Sequence, residues 1–306
     1  MSDTEKYVIY QNDLKFRKSR NLNSNKIDWE QNNIKHLYQI DHDTLEYRIK
    51  ESDKNNNVDI DLRELELDKI PIELSNKKFI NLTHLFLSNN NISDFVNLDI
   101  FNNLLTVDLD SNNIDSIKLP NSLIELSINN NKLTSINLNK NLVRFKASNN
   151  KLNNIVLSDN IEIAELDNNN ITNLDIKDSN KLNRLIIFSN PLEKIDIINL
   201  KYLDISETNI KELKLTDSIE NVVANSCKYL TNITKSKSLK TLEIINTPVD
   251  KLYFYDSFEL IVLQLNLTKN ISKKYRDVNA NINIRKNTLL VISRGCEILD
   301  DNSKIV

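Results

Sequence analysis

Leu82-Thr83-His84-Leu85-Phe86-Leu87-Ser88-Asn89-Asn90-Asn91-Ile92 sets out the pattern L-x-x-L-x-L-x-x-N-x-I. Closely similar segments end at Asn112-Asn113-Ile114, Asn131-Lys132-Leu133, Asn150-Lys151-Leu152, Asn169-Asn170-Ile171 and Asn190-Pro191-Leu192. A short fixed period of this kind decides the architecture, because each unit must stack on its neighbours to bury its apolar face. Taking the middle leucine as position 1, the copies fall at Ile60, Leu85, Val107, Leu126, Phe145, Ala164, Leu185, Leu203, Val222, Leu242, Leu263 and Ile282. These twelve units are numbered here as coils one to twelve. From Val107 onward the step is 18 to 21 residues; the step from Leu85 to Val107 is 22 and the first, from Ile60 to Leu85, is 25.

Position 3 is apolar in every copy from Leu87 to Ile284. Apolar residues at positions 1 and 3 give the period of a half-buried strand, so successive coils should stack these strands in parallel. At about 4.8 Å per strand, the sheet should run roughly 50 Å. The second half of each coil carries another alternating pair, seen at Ile117/Leu119, Ile136/Leu138, Ile155/Leu157, Leu174/Ile176, Ile195/Ile197, Leu213/Leu215 and Leu252/Phe254. A helix would show spacing of three and four. The outer side is therefore expected to be extended, and the curvature shallow.

The chain resembles the leucine-rich repeat proteins over roughly residues 56–292, in the short bacterial-like form of the repeat. The resemblance implies a β-rich repeat solenoid of the α/β class, of about twelve coils, with its parallel sheet on the concave face. It also implies that position 6 turns inward and bonds to backbone of its own and the neighbouring coil. That row reads Asn90, Asn112, Asn131, Asn150, Asn169, Asn190, Thr208, Cys227, Thr247, Thr268 and Asn287. The role is physically sound, since backbone leaving a strand ladder needs partners and an amide offers both donors and an acceptor. Cys227-Lys228-Tyr229-Leu230 matches the cysteine variant of the repeat, which makes Cys227 a buried row member rather than a reactive thiol.

Composition excludes several kinds of function. The chain of 306 residues has one glycine, Gly295. Phosphate-cradling loops, dinucleotide turns and nucleophile elbows need glycine, so none is expected, and asparagine must supply the left-handed turns. A net charge of -3 gives no case for nucleic acid. No apolar run is long enough for a membrane span, and residues 1–11 do not read as a signal peptide. Two cysteines make no disulfide framework. A cytoplasmic protein is expected, without cofactor or metal. Heavy use of Asn, Ile and Lys is that of an AT-rich genome, such as a giant DNA virus; for a viral or effector protein the compartment would be the host cytoplasm.

A solenoid needs caps. Residues 1–55 lack the repeat and read as an N-terminal cap region: Tyr7–Tyr10 suits a strand, Ile34, Leu37 and Tyr38 have helical spacing, and 51–57 reads as a polar linker. His36, Asp41, His42 and Asp43 have metal-ligand chemistry but no metal-ligand spacing. At the other end, Leu289–Ile292 closes the last coil, and 293–306 reads as a tail or cap.

On the concave face, positions 2 and 4 point outward. Lys146 should pair with Glu165, and Glu125 with Arg144, as cross-strand neighbours. Asp108, Asp110 and Asp204 have no obvious partner. Ile186, Phe188, Tyr202, Val223 and Ile245 are expected to form an apolar cluster on coils seven to ten, where such a face is usually polar; a patch of this kind marks an interaction site. The sequence thus predicts a monomeric, non-catalytic scaffold for a protein partner, anchored by Phe188 and Tyr202, with Asp204, Arg184 and Lys146 setting charge complementarity. The alternative is the recognition part of an effector, ubiquitin-ligase or phosphatase-targeting complex.

Overall fold

A computed structural model describes residues 44–234, 236–249, 251–253, 260–264, 289–293 and 297–299. Thr268, Ile282 and Asn287 lie outside them, as do the expected strand at 7–10, the helical stretch around Leu37 and the His36–Asp43 group. The alternating residues do form strands. Twelve of them make one parallel sheet, from Asp59–Asp61 through His84–Phe86, Thr106–Asp108 and so on in chain order to Leu289–Ser293. Position-1 residues stand opposite one another: Ile60 pairs with Leu85, Val107 with Leu126, Phe145 with Ala164, and Leu203 with Val222.

The last two strands take a different register from the one expected. Leu242 pairs with Ile261, not Leu263, and Leu263 stands opposite Ile244. Ile261 in turn pairs with Leu290, so Leu289–Ser293 is the twelfth strand. A slip of two residues keeps every side chain on its own face, so alternation alone does not choose between the registers. Leu260-Ile261-Val262-Leu263 is apolar throughout and offers no polar residue to mark the phase.

The outer side is extended, as its spacing requires. It forms three small parallel sheets: Ser93–Asn97 with Asn113–Lys118, Asn154–Val156 with Asn173–Asp175, and a four-stranded sheet running Glu212–Leu213, Asn232–Ile233, Lys251–Tyr253 and Glu297–Leu299. The outer segments at Ile136/Leu138 and Ile195/Ile197 carry no regular strand. The long first coil absorbs its extra residues in two single 3-10 turns, Ile72–Ser75 and Lys77–Phe79.

The core is made of rows that run the length of the sheet. Leu87, Leu109, Ile128, Ala147, Leu166, Ile187, Ile205, Ala224 and Ile244 at position 3 are fully buried. The leucine before the strand and the aliphatic residue after position 6 add parallel rows, as at Leu104, Leu123, Leu133 and Leu152. Each leucine or isoleucine among them contributes about 1.5–3 kcal/mol by leaving water. Bulk is shared between coils: Phe145, wholly buried, stands beside Ala164 and is followed two residues on by the buried Ala147, so two small residues make room for one large one.

Glycine is not what turns the chain. Position 5 has positive φ in each of the first ten coils, at Glu64, Asn89, Ser111, Asn130, Asn149, Asn168, Ser189, Glu207, Ser226 and Asn246. Asparagine, expected to supply these turns, fills only half of them; serine and glutamate fill the rest. The N–H at this residue donates to the position-4 carbonyl of the next coil, as Asn89 does to Asp110 at 2.9 Å and Glu207 to Asn225 at 2.7 Å. That inter-coil bond fixes the left-handed conformation in place.

The segment expected as a polar linker is helical. The helix Leu45–Ser52 is capped by the Thr44 hydroxyl, which accepts from Tyr47 N–H at 3.2 Å, and continues into a 3-10 turn at Asp53–Asn55. Leu45 and Ile49 pack on the core of the first coil. Arg48–Asp61 at 3.4 Å and Lys78–Asp53 at 2.8 Å tie the helix to that coil.

Candidate functional site

The six described asparagines of the position-6 row bond backbone of two coils. The Asn150 side chain accepts from Leu133 N–H at 3.0 Å and donates to Ile128 and Ala147 carbonyls at 2.9 and 3.2 Å. Asn112, Asn131, Asn169 and Asn190 repeat this arrangement, and Asn90 accepts from both Leu65 and Leu67 N–H. Each amide therefore bonds its own coil and the one before it. Thr208 donates to Ile205 O of its own coil at 2.7 Å. Cys227 Sγ reaches back to Ile205 O at 3.1 Å, and Thr247 to Ala224 O at 2.6 Å. Burial raises the Cys227 thiol above its ordinary pKa, consistent with an unreactive structural role.

A second polar row runs along the concave face, and the sequence reading missed it. Ser88 donates to Asp108 at 2.8 Å, and Asp108 accepts from Asp110 N–H at 3.0 Å. Asp110 accepts from the Ser127 hydroxyl, from Asn129 N–H and from the Asn129 amide. Asn129 accepts from Ser148 N–H, and Ser148 donates to Asp167 at 2.5 Å. Asp108 and Asp110, expected to lack partners, are thus bonded within the fold. The available signal was the recurrence of Asp with Ser or Asn at positions 2 and 4 of adjacent coils.

This row stops at coil seven, where Phe188 takes position 4. It resumes beyond, with Asn225 N–H donating to the Ser206 hydroxyl at 3.0 Å and the Asn225 amide to Glu243 at 2.6 Å. Around the interruption lie the residues singled out from the sequence. Arg184 and Tyr202 are cross-strand partners, and the guanidinium sits 4.0 Å from the ring centre. Ile186 stands opposite Asp204, and Asp204 opposite Val223. Ile186, Phe188, Tyr202, Asp204, Val223 and Ile245 are all half-buried.

The apolar cluster is not contiguous. Asp204 separates Ile186 from Val223, and the coil-to-coil backbone bonds place Ser206 and Asn225 between Phe188 and Ile245. Lys146 belongs to the edge of the region rather than to its centre: it pairs with Glu165 at 3.2 Å, as Arg144 does with Glu125 at 2.8 Å. What the face presents is an alternation. Position 2 reads Glu165, Ile186, Asp204, Val223, Glu243 across five neighbouring strands.

Asp204 carries the distinctive electrostatics. Burial pushes its carboxyl above the ordinary carboxylate pKa, and Glu243 and Asp167 push the same way; hydrogen bonds from Ser206, including its N–H at 3.0 Å, act against the shift. The Tyr202 phenol is also raised, first by burial and then by Asp204, with Arg184 opposing. Among the described residues no group of three or more His, Cys, Asp or Glu could hold a metal ion. No helix among them is long and apolar enough to cross a membrane.

No family model and no curated protein matches the chain. Solved structures do. The functional domain of InlJ from Listeria monocytogenes, which includes a cysteine ladder, is 21% identical with a TM-score of 0.50, over 68% of this chain and 53% of that one. The leucine-rich repeat domain of APL1B is 14% identical with a TM-score of 0.49, over 71% and 72%. YopM, a leucine-rich effector protein from Yersinia pestis, is 17% identical with a TM-score of 0.44, over 70% and 79%. The fold is a leucine-rich repeat solenoid. The chain spans about half the length of the InlJ structure.

Proposed function

We propose that this chain is a non-catalytic interaction scaffold that binds a protein partner across the concave face at coils seven to ten. One observation carries the reading: the polar row that satisfies the concave face from Ser88 to Asp167 is interrupted by Phe188, next to the stacked Arg184–Tyr202 pair. A face built only to stay solvated would continue its serine, aspartate and asparagine sequence there. Half-buried aromatic side chains beside charge are the usual anchors of a protein interface.

The test is affinity capture with cross-link mapping, using wild type, a Phe188→Ala/Tyr202→Ala double variant and, as control, Lys151→Ala at an exposed residue outside the sheet. The expected outcome is partners cross-linked to coils seven to ten, lost by the double variant and kept by the control. Equal recovery by all three proteins sinks this reading.

A further inference from the structure

We infer that the occupant of this face is a basic peptide segment in the polyproline II conformation, with Lys or Arg at every third residue reaching Asp204 and Glu243 and an apolar residue between them covering Val223. The inference rests on the concave-face reading above and names the chemistry of the partner.

Three features of the face select this occupant. The first is charge. Among the described residues neither Asp204 nor Glu243 forms an ion pair, whereas Glu165 is taken by Lys146 and Arg184 lies over Tyr202. Asp204 accepts from Ser206 and Glu243 from Asn225, which satisfies hydrogen bonds but leaves both negative charges uncompensated. A carboxylate held between two aliphatic side chains gains most from a cation that brings its own apolar stem.

The second is spacing. Asp204, Val223 and Glu243 occupy three successive strands in register. At about 4.8 Å per strand the two carboxylates are roughly 9.6 Å apart. A polyproline II chain advances about 3.1 Å per residue with three residues per turn, so its side chains at i and i+3 share a face about 9.3 Å apart; a β strand of the same rise would put i and i+3 on opposite faces. A helix has its same-face side chains at i and i+4, about 6 Å apart, or at i and i+7, about 10.5 Å apart, so it brackets the roughly 9.6 Å interval where the polyproline II repeat matches it.

The third is the boundary. The Lys146–Glu165 pair closes the row at coil six, and Phe188 with Tyr202 borders it on both sides of position 2 in coils seven and eight. The cationic register therefore begins at Asp204 and runs toward Glu243.

The experiment is fluorescence anisotropy with a capped, fluorescein-labelled Lys-Val-Thr repeat peptide. Its companions are a Glu-Val-Thr repeat, a scrambled peptide of the same composition as the lysine repeat, and spermine as competitor. The proteins are wild type, Asp204→Asn, Glu243→Gln and the double carboxylate variant, each checked for an intact cooperative urea transition. The lysine repeat should bind wild type about tenfold tighter than the scrambled or glutamate peptides, and the double variant should lose about tenfold. No binding of the lysine repeat, or binding unchanged in the double variant, overturns the inference. Equal binding of the scrambled peptide overturns the spacing, and spermine competing as strongly as unlabelled peptide overturns the assignment to a polypeptide. Should cross-linked partners depend on Phe188 and Tyr202 but not on the two carboxylates, this inference fails while the concave-face reading stands.

Discussion

At the scale of single residues, Asp204 is the point where stability and binding pull apart. Its carboxyl has a folded-state pKa raised by burial and by the Glu243 and Asp167 carboxylates. A raised carboxyl binds its proton more tightly in the folded state than in the unfolded one. Its contribution therefore favours folding at low pH and is lost as pH rises from the unfolded value through the raised folded value. Asp204→Asn keeps the oxygen that accepts from Ser206 N–H and removes the charge. The variant should be more stable than wild type at neutral pH, with the gain shrinking as pH falls through the carboxylate range. Urea midpoints across pH read this directly; a variant less stable at pH 7 would contradict it.

Among neighbouring residues, legibility varied for physical reasons. The position-6 asparagines stood out because one residue type recurs at one place. The concave row of Asp108, Asp110, Asn129 and Ser148 did not, because short polar residues on a strand's outer face look like ordinary surface until cross-coil register brings them together. The apolar cluster was legible residue by residue but not in its grouping, since Asp204, Ser206 and Asn225 intervene from other coils.

At the scale of the element, each coil is shaped by its left-handed residue. Serine and glutamate tolerate that conformation less well than asparagine, and a left-handed non-glycine residue costs about 1–2 kcal/mol. Nothing in the local sequence marks Glu64 or Glu207 as turn residues; the backbone bond to the next coil imposes the conformation. At Ser111, φ is 55°. Ser111→Asn should raise stability by about 0.5 kcal/mol, and Ser111→Val should lower it by more than 1 kcal/mol, about the scale of the left-handed penalty. Equal urea midpoints for the two variants would show that the turn does not discriminate. The apolar eleventh strand shows the converse limit: its sequence declares a strand but not a register.

At the scale of the whole molecule, stability should grade along the solenoid axis, because each coil contacts only its neighbours. Coils three to seven are joined by amides that bond two coils at once. Beyond them Thr208 bonds its own coil, and Cys227 offers a weaker sulfur donor. Hydrogen exchange should therefore be faster for Ile205 and Ala224 N–H than for Ile128 and Ala147 N–H, although all four donate to the next strand. Thr208→Asn should slow exchange on its side of the molecule. Uniform protection along the sheet would show that the row does not set local stability. The proposed binding face straddles this transition, where a partner's contacts would add most to the order of the coils.

The Phe145–Ala164 pairing has a genetic consequence. Tandem repeats are lengthened and shortened by slippage between similar copies during replication, and a chain of interchangeable coils would tolerate such events anywhere. Here the large side chain of one coil fits only beside the small one of the next. An unequal exchange that set two phenylalanine coils side by side would overfill the core, and one that set two alanine coils together would leave a void. The fit between coils five and six thus makes their order heritable: it filters recombinants at that junction, while junctions between like-sized residues, such as Val107 and Leu126, leave length free to drift.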